Sequence, residues 1–319
     1  MTPNYLKIGI GELNMAVLEG AIVYSNLLVL LGIGLIITYI TTGVPNFAQG
    51  SMAIFGSYIS LSLWLTFGIN PYFSLPISFL FGGTLGILIY LIFLKPLIRK
   101  EAKVVTLMIA TLAIDIIFLG ILGAYAETLR TIVRKSTKKF IFTPLDFDFF
   151  QFDGILIISS LIIVTIFITL FYLLHRTKFG IAMRASMENP SLAEIMGINV
   201  EYTRIFSWFL SGSFAALAGS LLPFRQEIVP LTGTVIIVSI FAASIVGGLG
   251  SIYGALAGGY IIGISESAIT FYLSGFFGPG ILVYGKVISL TILVTTLILA
   301  PKGIVGLKIW RNKIWPWIT

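Results

Sequence analysis

The chain has 319 residues, of which 57% are hydrophobic and 10% charged, with 20 Lys and Arg against 13 Asp and Glu and a net charge of +7. Soluble domains carry about 25% charged residues, so a water-soluble globule is excluded, and an aromatic content of 13% excludes low-complexity disorder. What remains is a polytopic membrane protein, provided the apolar residues fall in runs long enough to span.

They do. Residues 1–19 lack the basic n-region, short apolar core and small-residue cleavage site of a signal peptide and are expected to lie in the interface. Nine apolar runs follow: Gly20–Ile40, Phe47–Phe67, Leu75–Leu94, Val104–Ala124, Gly154–Leu174, Ile205–Leu222, Thr234–Leu249, Ile252–Leu273 and Ile281–Leu299. A helix needs ~20 residues to cross ~30 Å of hydrocarbon, with roughly 17 to 25 tolerated. The seventh run falls just short, as a broken or re-entrant helix would. The runs lack the dyad alternation of a membrane barrel and are about twice too long for its strands. The expected fold is therefore all-α, a single membrane domain over residues 1–319 with nine spans, eight and ten being the bounds. There is no cysteine, so no disulfide or Cys-based metal site can form.

The loops set the orientation, because cytoplasmic loops carry an excess of Lys and Arg. On nine spans, Lys95–Lys103, His175–Arg204 and the tail after Ala300 share one face and hold 12 basic residues, against seven on the other. The first face is expected to be cytoplasmic, with the N-terminus outside and the C-terminus inside. Residues 125–153 then form a long extracytoplasmic loop, and residues 175–204 a cytoplasmic one. The basic residues are scattered among short loops, so the charge is no nucleic-acid footprint.

In chain order, the first motif is GVPNFAQG, Gly43–Gly50, where Pro and Gly interrupt an apolar region. Such breaks free backbone groups that the protein or water must satisfy, so they line cavities or form tight surface loops. On the first reading Asn46, Phe47, Gln49 and Gly50 belong to a substrate path. The stretch GGLGSIYGALAGG, from Gly247, has the same character and adds Gly247, Gly250, Ser251 and Gly254. The spacing of Gly43 and Gly50 recurs at Gly247 and Gly254, a thin hint of the internal repeats that transporters carry.

RASMENPSLAEIMGINVEYTR, Arg184–Arg204, predicts a short exposed helix with both ends marked. Asn189 is a preferred N-cap, Pro190 suits the first helical position, and Gly197 supplies the left-handed residue that ends a helix. Such an element is either an ordinary interfacial helix or a docking element. Three charges sit inside spans, Asp115, Glu266 and Lys286. Buried charge is expensive, so they are candidates for structural pairing, a substrate path or proton coupling, and Lys286 has either acid as a partner.

Three stretches resemble the branched-chain amino acid permease family of ABC importers, in its shorter, first-permease type. They are Gly43–Ser60, Gly180–Asn199 and Ser244–Leu273, followed by PKGIVG at Pro301–Gly306. The resemblance implies that Glu188, Asn189, Pro190, Ala193, Glu194 and Gly197 form the coupling helix that seats in an ATPase subunit. One departure is Glu188, which precedes Asn189 and Pro190, so the proline changes how the helix starts. It further implies a second homologous permease, two cytoplasmic ATPase subunits, an extracytoplasmic substrate-binding protein docking near residues 125–153, and a plasma-membrane location. Branched-chain amino acids, other amino acids and amides all fit such a path. The alternative is an ion-gradient-driven secondary transporter using Asp115, Glu266 and Lys286.

No cofactor, metal site or enzymatic centre is expected. GILVYGK, Gly280–Lys286, has phosphate-loop spacing but places Val287 where Ser or Thr must hold magnesium. LSGS, Leu210–Ser213, lies inside a span, and the lone His175 sits at a span end beside Arg176.

Overall fold

Hydrocarbon offers no water to backbone N–H and C=O groups, so apolar runs of this length must pair them internally as helices. A computed structural model of the chain, describing residues 10–149 and 152–306, has that form. Helix α1 is Ile10–Thr42, α2 Gln49–Phe67 and α3 Leu75–Leu88, and a π-helical stretch, Ile89–Leu94, joins α3 to α4 (Lys95–Arg99). Then come α5 (Val104–Val133), α6 (Gly154–Arg176), α7 (Lys178–Glu188), α8 (Pro190–Ile195), α9 (Val200–Leu221), α10 (Thr232–Gly247), α11 (Ile252–Phe277) and α12 (Gly285–Leu299). Strands β1 (Asp148–Phe149) and β2 (Phe152–Asp153) pair antiparallel. Among the described residues, eight helical stretches are long and apolar enough to cross a membrane, and α10 is a shorter apolar helix of 16 residues. The all-α polytopic architecture is the expected one.

Several boundaries differ. Helix α1 starts at Ile10, ten residues before the apolar run, so residues 10–19 extend the first helix instead of forming a separate interfacial segment. Helix α5 continues nine residues past Ala124, so the long loop starts at Arg134, whose φ of 56° ends the helix. Residues 178–188 add the helix α7 ahead of the capped one. Lys7, Lys308, Arg311 and Lys313, counted above for orientation, lie outside the described residues.

The core is built on α1 and α9, whose apolar windows are 89% and 83% buried, against 11% for the stretch containing α12. Within lipid, helices associate through close packing, which small residues permit. Where α2 meets α9, a side chain on Gly56 would strike the carbonyl of Ala216, and one on Gly219 would strike that of Ala53. Ser57 and Ser220 then donate hydrogen bonds across the contact, to the carbonyls of Gly219 at 2.5 Å and Gly56 at 3.1 Å.

Two ends of the bundle are tied differently. At one, residues 134–149 fold back over the helices: Phe140 pairs with Ile228, Phe142 N–H donates to the Pro223 carbonyl at 2.7 Å, and Tyr72 donates to Asp146 at 2.6 Å. Burial and the neighbouring Asp146 and Asp148 push the Asp153 carboxyl above its ordinary pKa. At the other end, Lys95 and Arg99 pair with Glu201, and Arg204 donates to the Thr41 carbonyl at 3.4 Å.

The glycine contacts make a testable contrast. Gly219→Leu has no room against the Ala53 backbone and should destabilise the protein by at least the ~1–3 kcal/mol of an overpacked core. Gly120 on α5 has open space where a side chain would go, so Gly120→Ala should be neutral or stabilising by up to ~1 kcal/mol. Thermal unfolding of the detergent-purified protein reads both.

Candidate functional site

The capped segment forms as its residues dictate. Asn189 Oδ1 accepts from the Leu192 N–H at 3.0 Å, and Pro190 opens α8. Gly197, at φ 82°, donates to the Glu194 carbonyl at 3.0 Å, and Ile198 donates to that of Ala193 at 2.9 Å. This pair of bonds is the Schellman ending, and it needs a residue that tolerates positive φ. Ala193 is buried against the bundle, whereas Glu188, Asn189, Pro190, Glu194 and Gly197 are exposed. Beside them Ile195 and Met196 are 80% and 75% exposed, an apolar tip that the bundle leaves uncovered. Helix α7 carries this tip, capped by Thr177 and held by Arg184, which donates to the Leu174 carbonyl at 2.6 Å.

The break at residues 43–48 carries α2 back into the bundle. Gln49 Nε2 reaches the carbonyls of Leu31 at 3.4 Å and Ser211 at 3.3 Å, while its Oε1 accepts from Asn46 and Ser211, each at 3.0 Å. Asn46 and Gln49 are fully buried and face each other, so in this conformation they brace α1, α2 and α9 and present no open surface to a solute. Phe47 is half-buried, stacked on Phe241 at 4.6 Å, and Gly50 backs onto the Gly233 backbone.

The second glycine stretch packs differently. Gly247 and Gly254 face each other across α10 and α11, with no room for a side chain on either. Ser251 caps α11 by accepting from the Gly254 N–H at 3.3 Å, and Gly250 is exposed with open space around it. Gly43, by contrast, takes φ 70° with open space around it, so equal spacing gives the two glycine pairs unlike surroundings.

The intramembrane charges separate into a pair and a single. Lys286 donates to Glu266 Oε1 at 2.5 Å, to the Tyr24 hydroxyl at 2.6 Å and to Ser239 Oγ at 2.9 Å, which uses all three ammonium hydrogens. Tyr24, Ser239 and Ser289 in turn donate to the Glu266 carboxylate, at 3.1, 2.7 and 2.5 Å. The network joins α1, α10, α11 and α12, and no member lacks a partner. It also removes Lys286 from any phosphate-loop role. Asp115, on α5, takes bonds from Ser51 at 2.5 Å and Thr234 at 3.5 Å, and belongs to none of the ion pairs among the described residues.

A sequence profile of the family described as "Branched-chain amino acid transport system / permease component" matches residues 17–297. The chain belongs to this permease family. It is 63% identical over 93% of both chains to a protein of Methanocaldococcus jannaschii named probable branched-chain amino acid transport permease protein LivH. Escherichia coli K12 LivH, a high-affinity branched-chain amino acid transport system permease protein, is 27% identical over 87% of this chain and 90% of its own. The ribose import permease RbsC of Bacillus subtilis is 32% identical over about a third of each chain. No solved structure gives a significant match.

Sequence reasoning singled out Glu266 and Lys286 but missed the hydroxyls that complete the permease's buried network. Tyr24 and Ser239 lie on two other helices and Ser289 on α12 with Lys286, and only polar residues recurring inside apolar runs point to them. The network predicts a non-additive result. Glu266→Gln strands a buried ammonium and should cost ~3–5 kcal/mol, whereas Glu266→Gln with Lys286→Met should cost less than that single change. Thermal unfolding of the three proteins checks the order.

Proposed function

We propose that the chain is the membrane-spanning permease subunit of an ATP-driven importer of branched-chain amino acids or related amino acids and amides. The observation that carries the reading is the family match over residues 17–297, together with a 63% identical permease aligned along 93% of both chains. The subunit is a multi-pass protein of the plasma membrane and works with a second homologous permease, two cytoplasmic ATPase subunits and an extracytoplasmic binding protein. It holds no ATPase site of its own.

The chain crosses the membrane nine times as one domain, with α10 as the short seventh crossing, the N-terminus outside and the C-terminus inside. The excess of Lys and Arg around Lys95–Lys103 and residues 175–204 supports that orientation. Residues 125–153 receive the binding protein, and Glu188–Gly197 receives the ATPase. The exposed Ile195 and Met196 beside a rigidly capped turn support the second assignment, because an uncovered apolar tip gains by docking. As the ATPase dimer closes on ATP, this element moves with it and pulls the spans towards the other orientation.

The rival reading as an ion-driven transporter loses two of its three coupling charges, since Glu266 and Lys286 neutralise each other at 2.5 Å. Two measurements test the assignment. Leucine uptake into vesicles should require ATP and the ATPase subunits and persist when proton and sodium gradients are collapsed. Uptake by this chain alone on an ion gradient sinks the proposal. Separately, Gly197→Pro replaces φ 82° by a ring fixed near −65° and deletes the N–H bonded to Glu194. It should abolish capture of the ATPase in a pull-down without lowering the permease's yield in the membrane.

A further inference from the structure

Helix α2 starts deep in the bundle. Gln49, its first residue, bonds the carbonyl of Leu31, eleven residues and about 16 Å back from the end of α1 at 1.5 Å per residue. Helix α10 starts at a similar depth. Its Gly233 lies against the backbone of Gly50 and Ser51, and its Thr234 reaches Asp115, the twelfth residue of α5. Two helix N-termini, each carrying about half a positive charge, therefore meet beside one carboxylate. Asp115 is 7% exposed and has no Lys, Arg or His within ion-pair distance among the described residues. Ser51 from α2 and Thr234 from α10 are its hydrogen-bond donors.

The packing around this point is uneven. Helix α2 is locked to α9 through Gly56, Gly219 and their serine bonds, and α10 is locked to α11 through Gly247–Gly254 and through Gly258 on the Ala243 carbonyl. Where the start of α10 meets α2, the join holds bare glycine backbone and the Asp115 bonds, and farther along α10 Phe241 stacks on Phe47 in the break that leads into α2. Helix α5 serves both halves of it, because Thr111, one turn before Asp115, accepts the Phe47 N–H at 3.4 Å. The contacts on either side carry side-chain bonds as well as close packing, from Ser57 and Ser220 between α2 and α9 and from Ser239 on α10 to the Glu266–Lys286 pair, so the join between α2 and α10 parts more readily than they do.

We propose that the start of α10 is a moving element of the transport cycle and that Asp115 is the positioning residue that clamps it to α2 in the resting state. The clamp opens when ATP drives the subunit between its orientations and closes again on return. This rests on the importer reading, but it adds a residue and a joint that the reading does not require. Asp115→Asn keeps the shape of the side chain and one accepting oxygen, puts a donating NH2 where the second oxygen accepted a hydroxyl, and removes the negative charge that the two helix ends can share.

The test uses the full complex of both permeases, ATPases and binding protein in proteoliposomes. Hydrogen bonds to a charged group are worth enough that losing one charge should raise ATP-independent leucine leak roughly tenfold. A merely structural role would lower yield or melting temperature without opening a leak. An Asp115→Asn complex with no more leak than the parent overturns the clamp, whether or not its uptake is altered. The chain has no cysteine, so Phe47→Cys with Phe241→Cys gives a clean cross-linking pair. Joined by a short bifunctional thiol reagent with a reducible linker, it should lose leucine uptake and regain it on reduction. Uptake unchanged by full cross-linking, or failure of the pair to cross-link, also overturns the proposal. Cross-linking needs no substrate. If the parent complex carries no leucine, slower cross-linking in ATP still supports the moving joint, and an ATP-independent rate removes it.

Discussion

Everything in this fold follows from one constraint: inside hydrocarbon, each backbone N–H and C=O must find its partner within the protein. Long helices meet it automatically, and the breaks must meet it residue by residue. At residues 43–48 the bonds are explicit. Gly43 N–H still reaches the Tyr39 carbonyl, Ala48 N–H finds Asn46 Oδ1, and Phe47 N–H finds Thr111 Oγ1. At residues 248–251 the Ser251 N–H turns back to the Gly248 carbonyl, and its hydroxyl caps α11. The polar residues that look most like substrate ligands are therefore first of all what makes the breaks affordable.

That double duty explains why buried polar side chains concentrate where helices start mid-bundle. A helix that begins at depth exposes N–H groups and a positive end to a medium that cannot solvate them. Asn46, Gln49, Ser51 and Ser211 supply acceptors and relays on one side, and Asp115 supplies charge. Away from the breaks, small residues replace polar ones. Gly82 against Gly212, Gly86 against the Trp208 carbonyl, and Gly259 against Val29 bring backbones together without hydrogen-bonding side chains. Rigid contact and polar joint are thus two separate solutions, and their placement divides the bundle into parts that hold and parts that can shift.

The same division decides what could be read from the chain alone. Apolar runs report solvent, so the spans were legible, and so were the caps at Asn189 and Gly197, where chemistry and geometry sit within a few residues. The helix ends were not, because residues 10–19 and 125–133 continue as helix where hydropathy has already fallen. Depth was not legible either. Nothing local says that Gln49 lies level with Leu31 and Ser211, since both contacts come from elsewhere in the chain. The partner of Lys286 was open between two acids for the same reason: Glu266 and Asp115 differ only in which helices surround them.

Those surroundings give the two acids opposite physical characters. Glu266 and Lys286 form a unit that is neutral overall and satisfied at every polar atom, and α12 has little else to hold it. Leu290, Val294 and Ile298 along that helix are 45%, 52% and 76% exposed. Replacing a fully bonded pair means breaking several short bonds at once, so the pair resists motion and anchors α12 while the helix's outer face stays uncovered. Asp115 has no cation beside it among the described residues, and its bonds come from two helix ends that belong to differently packed groups. Moving those groups apart changes its energy directly, whereas moving α12 with its pair intact leaves that network's energy nearly unchanged. An intramembrane charge responds to conformational change only when its compensation is divided between parts that move separately, and among these three residues that condition holds at Asp115.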